Sequence, residues 1–62
     1  MVYYFKSYST HFREVDKRHF ELFHFLLKDV DGVKFYSIKR KVKVLLLSDN
    51  VFRSVDKLLS TL

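Results

Sequence analysis

The dipeptide Asp31-Gly32 constrains the fold of this chain more than any other sequence feature. Gly32 is the only glycine and the chain has no proline, so a residue with special backbone chemistry occurs at one place alone. A two-residue type I′ turn needs φ > 0 at both central positions, and Asp-Gly is one of the dipeptides that favour it. The sequence therefore predicts a β-hairpin in which the stretch 20–47 folds in two at this turn.

Counting outward from the turn gives the register of the predicted hairpin, in which Asp29 faces Lys34 as an opposite-charge pair. Side chains alternate across a strand, so this register produces one apolar face and one basic face. The apolar face carries Phe23, Phe25, Leu27, Tyr36, Ile38 and Val42. The basic face carries His24, Lys28, Ser37, Lys39, Lys41 and Lys43, with Phe20, Leu22, Leu26, Val33 and Phe35 among them.

A helix is the alternative for the first half of this stretch. Apolar and aromatic residues recur at roughly helical spacing from Phe12 to Val30, which is compatible with one helix over about residues 10–28. The Phe-rich composition and the self-consistent hairpin register favour a strand from about Arg18 instead. Both alternatives remain open from the sequence.

The two ends of the chain have simpler patterns. Residues 2–8 are aromatic and alternate, which predicts a first strand, and residues 9–18 are polar and read as a loop or a short helical turn. Ser48 or Asp49 can cap a helix over about residues 49–61. The apolar stripe of that helix comprises Val51, Phe52, Val55, Leu58, Leu59 and Leu62.

Together these elements predict one small α+β domain spanning residues 1–62. Its antiparallel sheet would have three to four strands, with the C-terminal amphipathic helix packed on one face. The helix residues Phe52, Val55 and Leu59 are expected to contact Phe23, Phe25, Ile38 and Val42 of the sheet.

Length and composition limit how such a domain can be stabilised. A chain of 62 residues buries a small core, and without cysteine it has neither a disulfide nor a thiolate zinc site. We therefore expect a homodimer or a larger oligomer. The longest apolar run, Val44 to Leu47, is too short to span a bilayer, and no secretory signal is visible, so a soluble cytoplasmic protein is expected.

The basic charge favours acidic partners, namely nucleic acid, an anionic membrane surface or an acidic protein. The formal net charge is +5 and the pI is about 9.7. On a strand with a rise of about 3.3 Å per residue, Lys39, Lys41 and Lys43 would project about 7 Å apart and could follow a phosphate backbone. Exposed Phe35 and Phe20 could stack on unpaired bases. The predicted nucleic-acid-binding residues are Lys28, Ser37, Lys39, Lys41, Lys43, Phe35 and His24.

Two other interpretations of the same residues stay open. Lysines on an exposed face also keep a sheet soluble and protect its edge. The apolar residues among them would equally suit a protein-interaction module, such as an inhibitor or adaptor, that docks an acidic or apolar partner surface.

Catalytic and metal-binding motifs are not evident. The three histidines, His11, His19 and His24, match no metal-ligand spacing, and one glycine cannot form a phosphate-binding loop. Residues 29–32 begin like a calcium loop, but Val33 and Arg40 stand where oxygen ligands are needed. We therefore expect a non-enzymatic protein without metal or other cofactor. The composition suits a small accessory protein, such as those that phages, archaeal viruses and plasmids encode.

Overall fold

The computed structural model describes every residue, Met1–Leu62, as an α+β domain with one four-stranded sheet and two helices. In chain order the elements are β1 (Val2–Ser7), β2 (Phe12–Val15), α1 (Lys17–Leu27), β3 (Lys34–Ile38), β4 (Val42–Leu47) and α2 (Asp49–Ser60). The α+β class and the C-terminal helix packed on the sheet are confirmed. Neither helix combines the length and apolar composition needed to cross a bilayer.

The sheet is mixed rather than antiparallel. Its strand order is β2-β1-β4-β3, with β1 and β4 parallel at the centre and an antiparallel partner at each edge. The parallel pair arises because α1 separates the two antiparallel hairpins and returns the chain to the other edge of the sheet. The polar segment predicted as a loop or helical turn contains β2, which pairs with β1 from Tyr3–Val15 to Lys6–Phe12.

The predicted hairpin around Asp31-Gly32 is wrong, and a helix is present instead over Lys17–Leu27. The alternative helix over about residues 10–28 began too early, because Phe12–Val15 form β2. Asp16 caps α1 by accepting a hydrogen bond from the His19 backbone N–H at 2.8 Å, and the helix then runs to Leu27. A helix is favoured here because it places Phe20 and Phe23 on one side, from which both reach the core. Gly32 does lie in a turn, with φ of 84°, but that turn joins a helix to a strand.

One face of the sheet is covered by both helices. Its central strands contribute Phe5, Leu45 and Leu47, which pack against Phe20 and Phe23 of α1 and against the buried stripe of α2, namely Phe52, Val55 and Leu59. Burial of each such side chain contributes about 1.5–3 kcal/mol. Of the predicted partners of α2, only Phe23 belongs to this core, since Phe25 and Ile38 are exposed and Val42 lies on the opposite face.

The opposite face of the sheet carries no helix, and we call it the open face. The register places three rows of side chains on it, which run across the strands. The first row is Phe12, Lys6, Leu46 and Lys34; the second is Glu14, Tyr4, Val44 and Tyr36; the third is Val2, Val42 and Ile38.

Contacts between polar groups hold α2 against the sheet edge. The Arg13 guanidinium on β2 donates to the Asp56 carboxylate at 2.7 Å and to the Ser60 hydroxyl at 3.1 Å. Both partners of this ion pair are partly exposed, so its contribution is at most about 1 kcal/mol. Ser48 occupies the N-cap position of α2 without a side-chain cap bond, while Asp49 accepts from the Ser9 backbone N–H at 3.3 Å.

Candidate nucleic-acid interface

The turn between β3 and β4 is made of three consecutive basic residues, Lys39, Arg40 and Lys41, which we call the basic tip. The Lys41 backbone N–H donates to the Ile38 carbonyl at 2.9 Å and closes the turn. The Lys41 carbonyl then accepts from the Val2 backbone N–H at 2.9 Å, which ties the turn to β1. These backbone hydrogen bonds therefore hold the basic tip at the end of the sheet.

The backbone of the basic tip is unusual for its residue types. Lys39 has φ of 49° and Arg40 has φ of 59°, and these are the only non-glycine residues with positive φ. The left-handed region costs an L-residue with a side chain about 1–2 kcal/mol, which is why Asn and Gly dominate such turns. Stability of the turn does not explain the presence of Lys and Arg at these positions.

The charges of the basic tip are not neutralised within the chain. The two ion pairs in the structure join Arg13 to Asp56 and His19 to Asp16, and neither includes a residue of the tip. All three tip residues are exposed. The tip thus concentrates three of the twelve Lys and Arg residues at one end of the molecule.

Four of the predicted binding residues lie together behind the basic tip, on the helix-covered side of the β3–β4 hairpin. Phe35 of β3 and His24 of α1 stack with their ring centroids 4.9 Å apart and their planes 11° from parallel. Ser37 pairs across the strands with Lys43, and both share the face of Phe35 because Phe35 lies opposite the core residue Leu45. Ser37 and Lys43 therefore connect the aromatic pair with the tip.

The other three predicted residues are placed differently from the expectation. Lys39 and Lys41 lie in the turn, so the expected row of three lysines along one strand is wrong, and Lys43 alone is in a strand. Lys28 is the C-cap residue of α1, one helical turn after His24, and its Nζ lies 4.9 Å from the centroid of the Phe25 ring. Phe20 cannot stack on a base because it is only 2% exposed.

Arg40 is the residue of the basic tip that the sequence reasoning missed. Counting outward from the predicted Asp31-Gly32 turn pairs Arg40 with Phe23, away from the predicted basic face, whereas the structure places Arg40 at the end of the sheet. The run of three basic residues was visible in the sequence, but no Gly or Asn marked it as a turn.

A polar cleft of about 260 Å³ lies elsewhere, beyond the carboxyl ends of β1 and β4. Its polar groups are largely bonded to one another. Ser7 Oγ accepts from the His11 backbone N–H at 3.1 Å and lies 3.1 Å from Ser9 Oγ, which in turn donates to Asp49 at 3.4 Å. No hydrogen bond joins a serine hydroxyl to the His11 ring, so the cleft lacks the contact that activates a serine nucleophile.

Comparisons of the chain with protein-family models, with curated proteins and with solved structures returned no match. We therefore infer a function from the geometry and charge of the molecule.

Proposed function

We propose that the protein binds nucleic acid, with the basic tip and Lys43 contacting phosphates. The observation that carries this proposal is the left-handed backbone of Lys39 and Arg40, which holds two long cationic side chains where Asn or Gly would cost less. Strained residues tend to occur where function requires them. Three neighbouring cations without acidic partners suit a polyanion whose charges are closely spaced.

The stacked pair of His24 and Phe35 supports a preference for single strands. His24 covers one side of the Phe35 ring, and Phe35 remains 42% exposed. An unpaired base can stack on the exposed part of this pair, whereas a base inside a duplex is already stacked on its neighbours. Ser37 and Lys43 lie between the pair and the basic tip, so one strand could contact all of these groups in sequence.

The test is a fluorescence-anisotropy titration with labelled single-stranded and double-stranded oligonucleotides at several salt concentrations. If the basic tip and Lys43 contact four phosphates, log K should fall against log salt with a slope of about −3 for single strands. The variant Lys39→Gln/Arg40→Gln/Lys41→Gln should flatten that slope by about two units and leave the fold unchanged. Single strands should bind more tightly than duplex.

A charge-matched control separates the basic tip from the overall charge. Lys17→Gln/Arg18→Gln/Lys57→Gln removes the same charge from exposed positions on the two helices. This control should keep the slope of the unmodified chain. Equal loss in both variants would refute the role of the tip and would make Lys17 and Arg18 candidates. No binding below roughly 100 μM at low salt would refute nucleic-acid binding altogether.

A second candidate function is that of a protein-interaction module, and the open face is the observation that favours it. Eight of the eleven residues in its three rows are apolar or aromatic, and no element of this chain covers them. If the oligonucleotide titration fails, this candidate becomes the leading one. A pull-down from the native host with the intact chain and with a variant carrying Tyr36→Glu on the open face would then test it.

A further inference from the structure

Aromatic side chains form a line across the open face. Tyr36 of β3 and Tyr4 of β1 lie in the same row with Val44 between them. Tyr4 in turn packs edge-to-face on Phe12 of β2, with the ring centroids 5.7 Å apart. Adjacent strands are about 4.8 Å apart, so Tyr36 and Tyr4 are separated by about 10 Å. The aromatic line therefore crosses the sheet from the β3 edge to the β2 edge.

The two ends of the aromatic line are open to solvent. Phe12 is 67% exposed and Tyr36 is 42% exposed, whereas Val44 at the centre of the sheet is only 6% exposed. A sheet face in contact with water normally carries polar residues at such exposed positions. Exposed rings on the surface of a sheet are the groups on which unpaired bases stack in single-strand-binding folds.

The aromatic line begins beside the basic tip. Ile38 and Val42 precede and follow the tip, and they pair in the row next to Tyr36. Tyr36 is three residues from Lys39, which is about 10 Å along the strand. Phe35 and Tyr36 are consecutive, so their side chains lie on opposite faces of β3. A nucleic-acid strand that passes the basic tip can therefore contact both rings.

The charges around the aromatic line favour a polyanion. Lys34 and Lys6 lie in the row beyond the two tyrosines, and Lys34 is exposed and outside both ion pairs of the structure. The Lys6 ammonium donates to the Ser7 carbonyl at 3.1 Å. Glu14 is the one acidic residue of the open face and lies on the β2 edge. With the basic tip, five cations and one carboxylate therefore surround the line.

We propose that the open face binds the bases of a single-stranded nucleic acid whose phosphates contact the basic tip. This proposal rests on the proposed nucleic-acid binding, and it extends that site around the tip to the other face of the sheet. Bases stack on Tyr36 and Phe12, and Lys34 contacts a phosphate. The path from Lys39 to Phe12 measures about 25 Å, which suits the smallest sites of single-strand-binding folds, about four nucleotides.

A partner protein is the competing occupant of the open face, and the need for a flat ring distinguishes the two. A protein contact buries apolar area, which leucine also supplies, whereas a base stacks on the face of an aromatic ring. Replacement of an exposed ring by leucine therefore removes the base contact and keeps most of the apolar area.

Titration of Tyr36→Leu and Phe12→Leu with a labelled single strand of about 12 nucleotides tests the proposal. Each variant should bind at least about fivefold more weakly than the unmodified chain at every salt concentration, because stacking on one base is lost. The slope of log K against log salt should not change, since no phosphate contact is removed. Lys34→Gln should instead flatten that slope by about 0.7 units.

Two controls separate stacking from other effects of substitution. Tyr36→Phe keeps the ring and should bind like the unmodified chain. Phe25→Leu removes a ring that is 61% exposed on α1, away from the open face, and should also bind like the unmodified chain. Circular dichroism should show the same fold for all variants, because each replaced side chain is exposed.

The outcomes separate this proposal from the proposed function. Unchanged affinity of Tyr36→Leu and Phe12→Leu, with binding that still depends on the basic tip, would overturn the proposal for the open face alone. The partner protein would then be the better occupant of that face. An equal loss of affinity in Phe25→Leu would also overturn the proposal. No binding by the unmodified chain below roughly 100 μM at low salt would refute both the proposal and the proposed function.

Discussion

Two turns contain all the positive φ angles of this protein, and they are made of opposite kinds of residue. The turn after α1 uses Gly32 at φ of 84°, and the carbonyl of that glycine accepts a 2.7 Å hydrogen bond from the Tyr8 hydroxyl. The β3–β4 turn uses Lys39 and Arg40 at φ of 49° and 59°, both exposed and without acidic partners. The first turn has the residue its backbone requires. The second has residues that its backbone disfavours.

We propose that this difference separates a turn that stabilises the fold from one that binds a partner. Gly32 lies between α1 and β3 and is bonded to Tyr8, the residue after β1, so its role is accounted for inside the chain. Nothing inside the chain accounts for Lys39 and Arg40. We infer that the cost of their backbone conformation is offset by the contact that their charges make outside it.

The largest effect is expected at the glycine turn. Gly32→Val should destabilise the fold by about 2–3 kcal/mol, because a β-branched residue is strongly disfavoured at positive φ. A Cβ at this position would meet only the Tyr8 hydroxyl, at 3.8 Å, and Ser48 Cβ, at 4.0 Å, so the cost comes from the backbone. Gly32→Asn is the control and should cost less than about 1 kcal/mol, since Asn tolerates this region. Urea unfolding followed by circular dichroism measures both, and equal values for Val and Asn would contradict the explanation.

At the basic tip we expect a substitution to stabilise the fold rather than destabilise it. Lys39→Asn/Arg40→Gly should stabilise the fold by about 1–2 kcal/mol by relieving the left-handed conformation of two residues with long side chains. In a domain of this size each kcal/mol raises the melting temperature by about 4–8 °C. Lys39→Gln/Arg40→Gln removes the same charges but keeps the backbone cost, so its melting temperature should stay near that of the unmodified chain. If the melting temperature of the Gln variant rose as much, the stabilisation would come from relief of charge repulsion and not from the backbone conformation.

A smaller effect is expected from the hydrogen bond that anchors the glycine turn. Tyr8→Phe removes the hydroxyl that donates to the Gly32 carbonyl and should cost about 1 kcal/mol or less, because the bond is exposed and water can replace it. The same urea titration measures this change. A loss larger than that of Gly32→Val would show that the anchor matters more than the backbone conformation.

The sequence predicted the ends of the fold better than its middle. The first strand and the last helix were recoverable because one repeats with a period of two over residues 2–7 and the other carries a buried stripe of Phe52, Val55 and Leu59. The residue pattern of segment 17–27 is compatible with both a strand and a helix. The strong Asp-Gly turn signal favoured the strand, which is wrong. Only the tertiary contacts of Phe20 and Phe23 distinguish the two alternatives.

The sequence predicted several residues of the candidate site but not how the fold arranges them. His24, Phe35, Ser37 and Lys43 lie together, although the helix rather than a partner strand brings His24 to the sheet. The basic tip could not be predicted, because a turn of Lys-Arg-Lys contradicts the residue preferences by which turns are recognised. The residues that departed most from local preference are therefore the ones with the strongest claim to a functional role.

The affinity of Lys39→Asn/Arg40→Gly for a single-stranded oligonucleotide is the most direct test of that claim. We expect this variant, although more stable, to bind roughly 25-fold more weakly than the unmodified chain at about 0.1 M salt, because two phosphate contacts and their released counterions are lost. An affinity equal to that of the unmodified chain would contradict the account, since the two cations held in the left-handed conformation would then contribute nothing to binding.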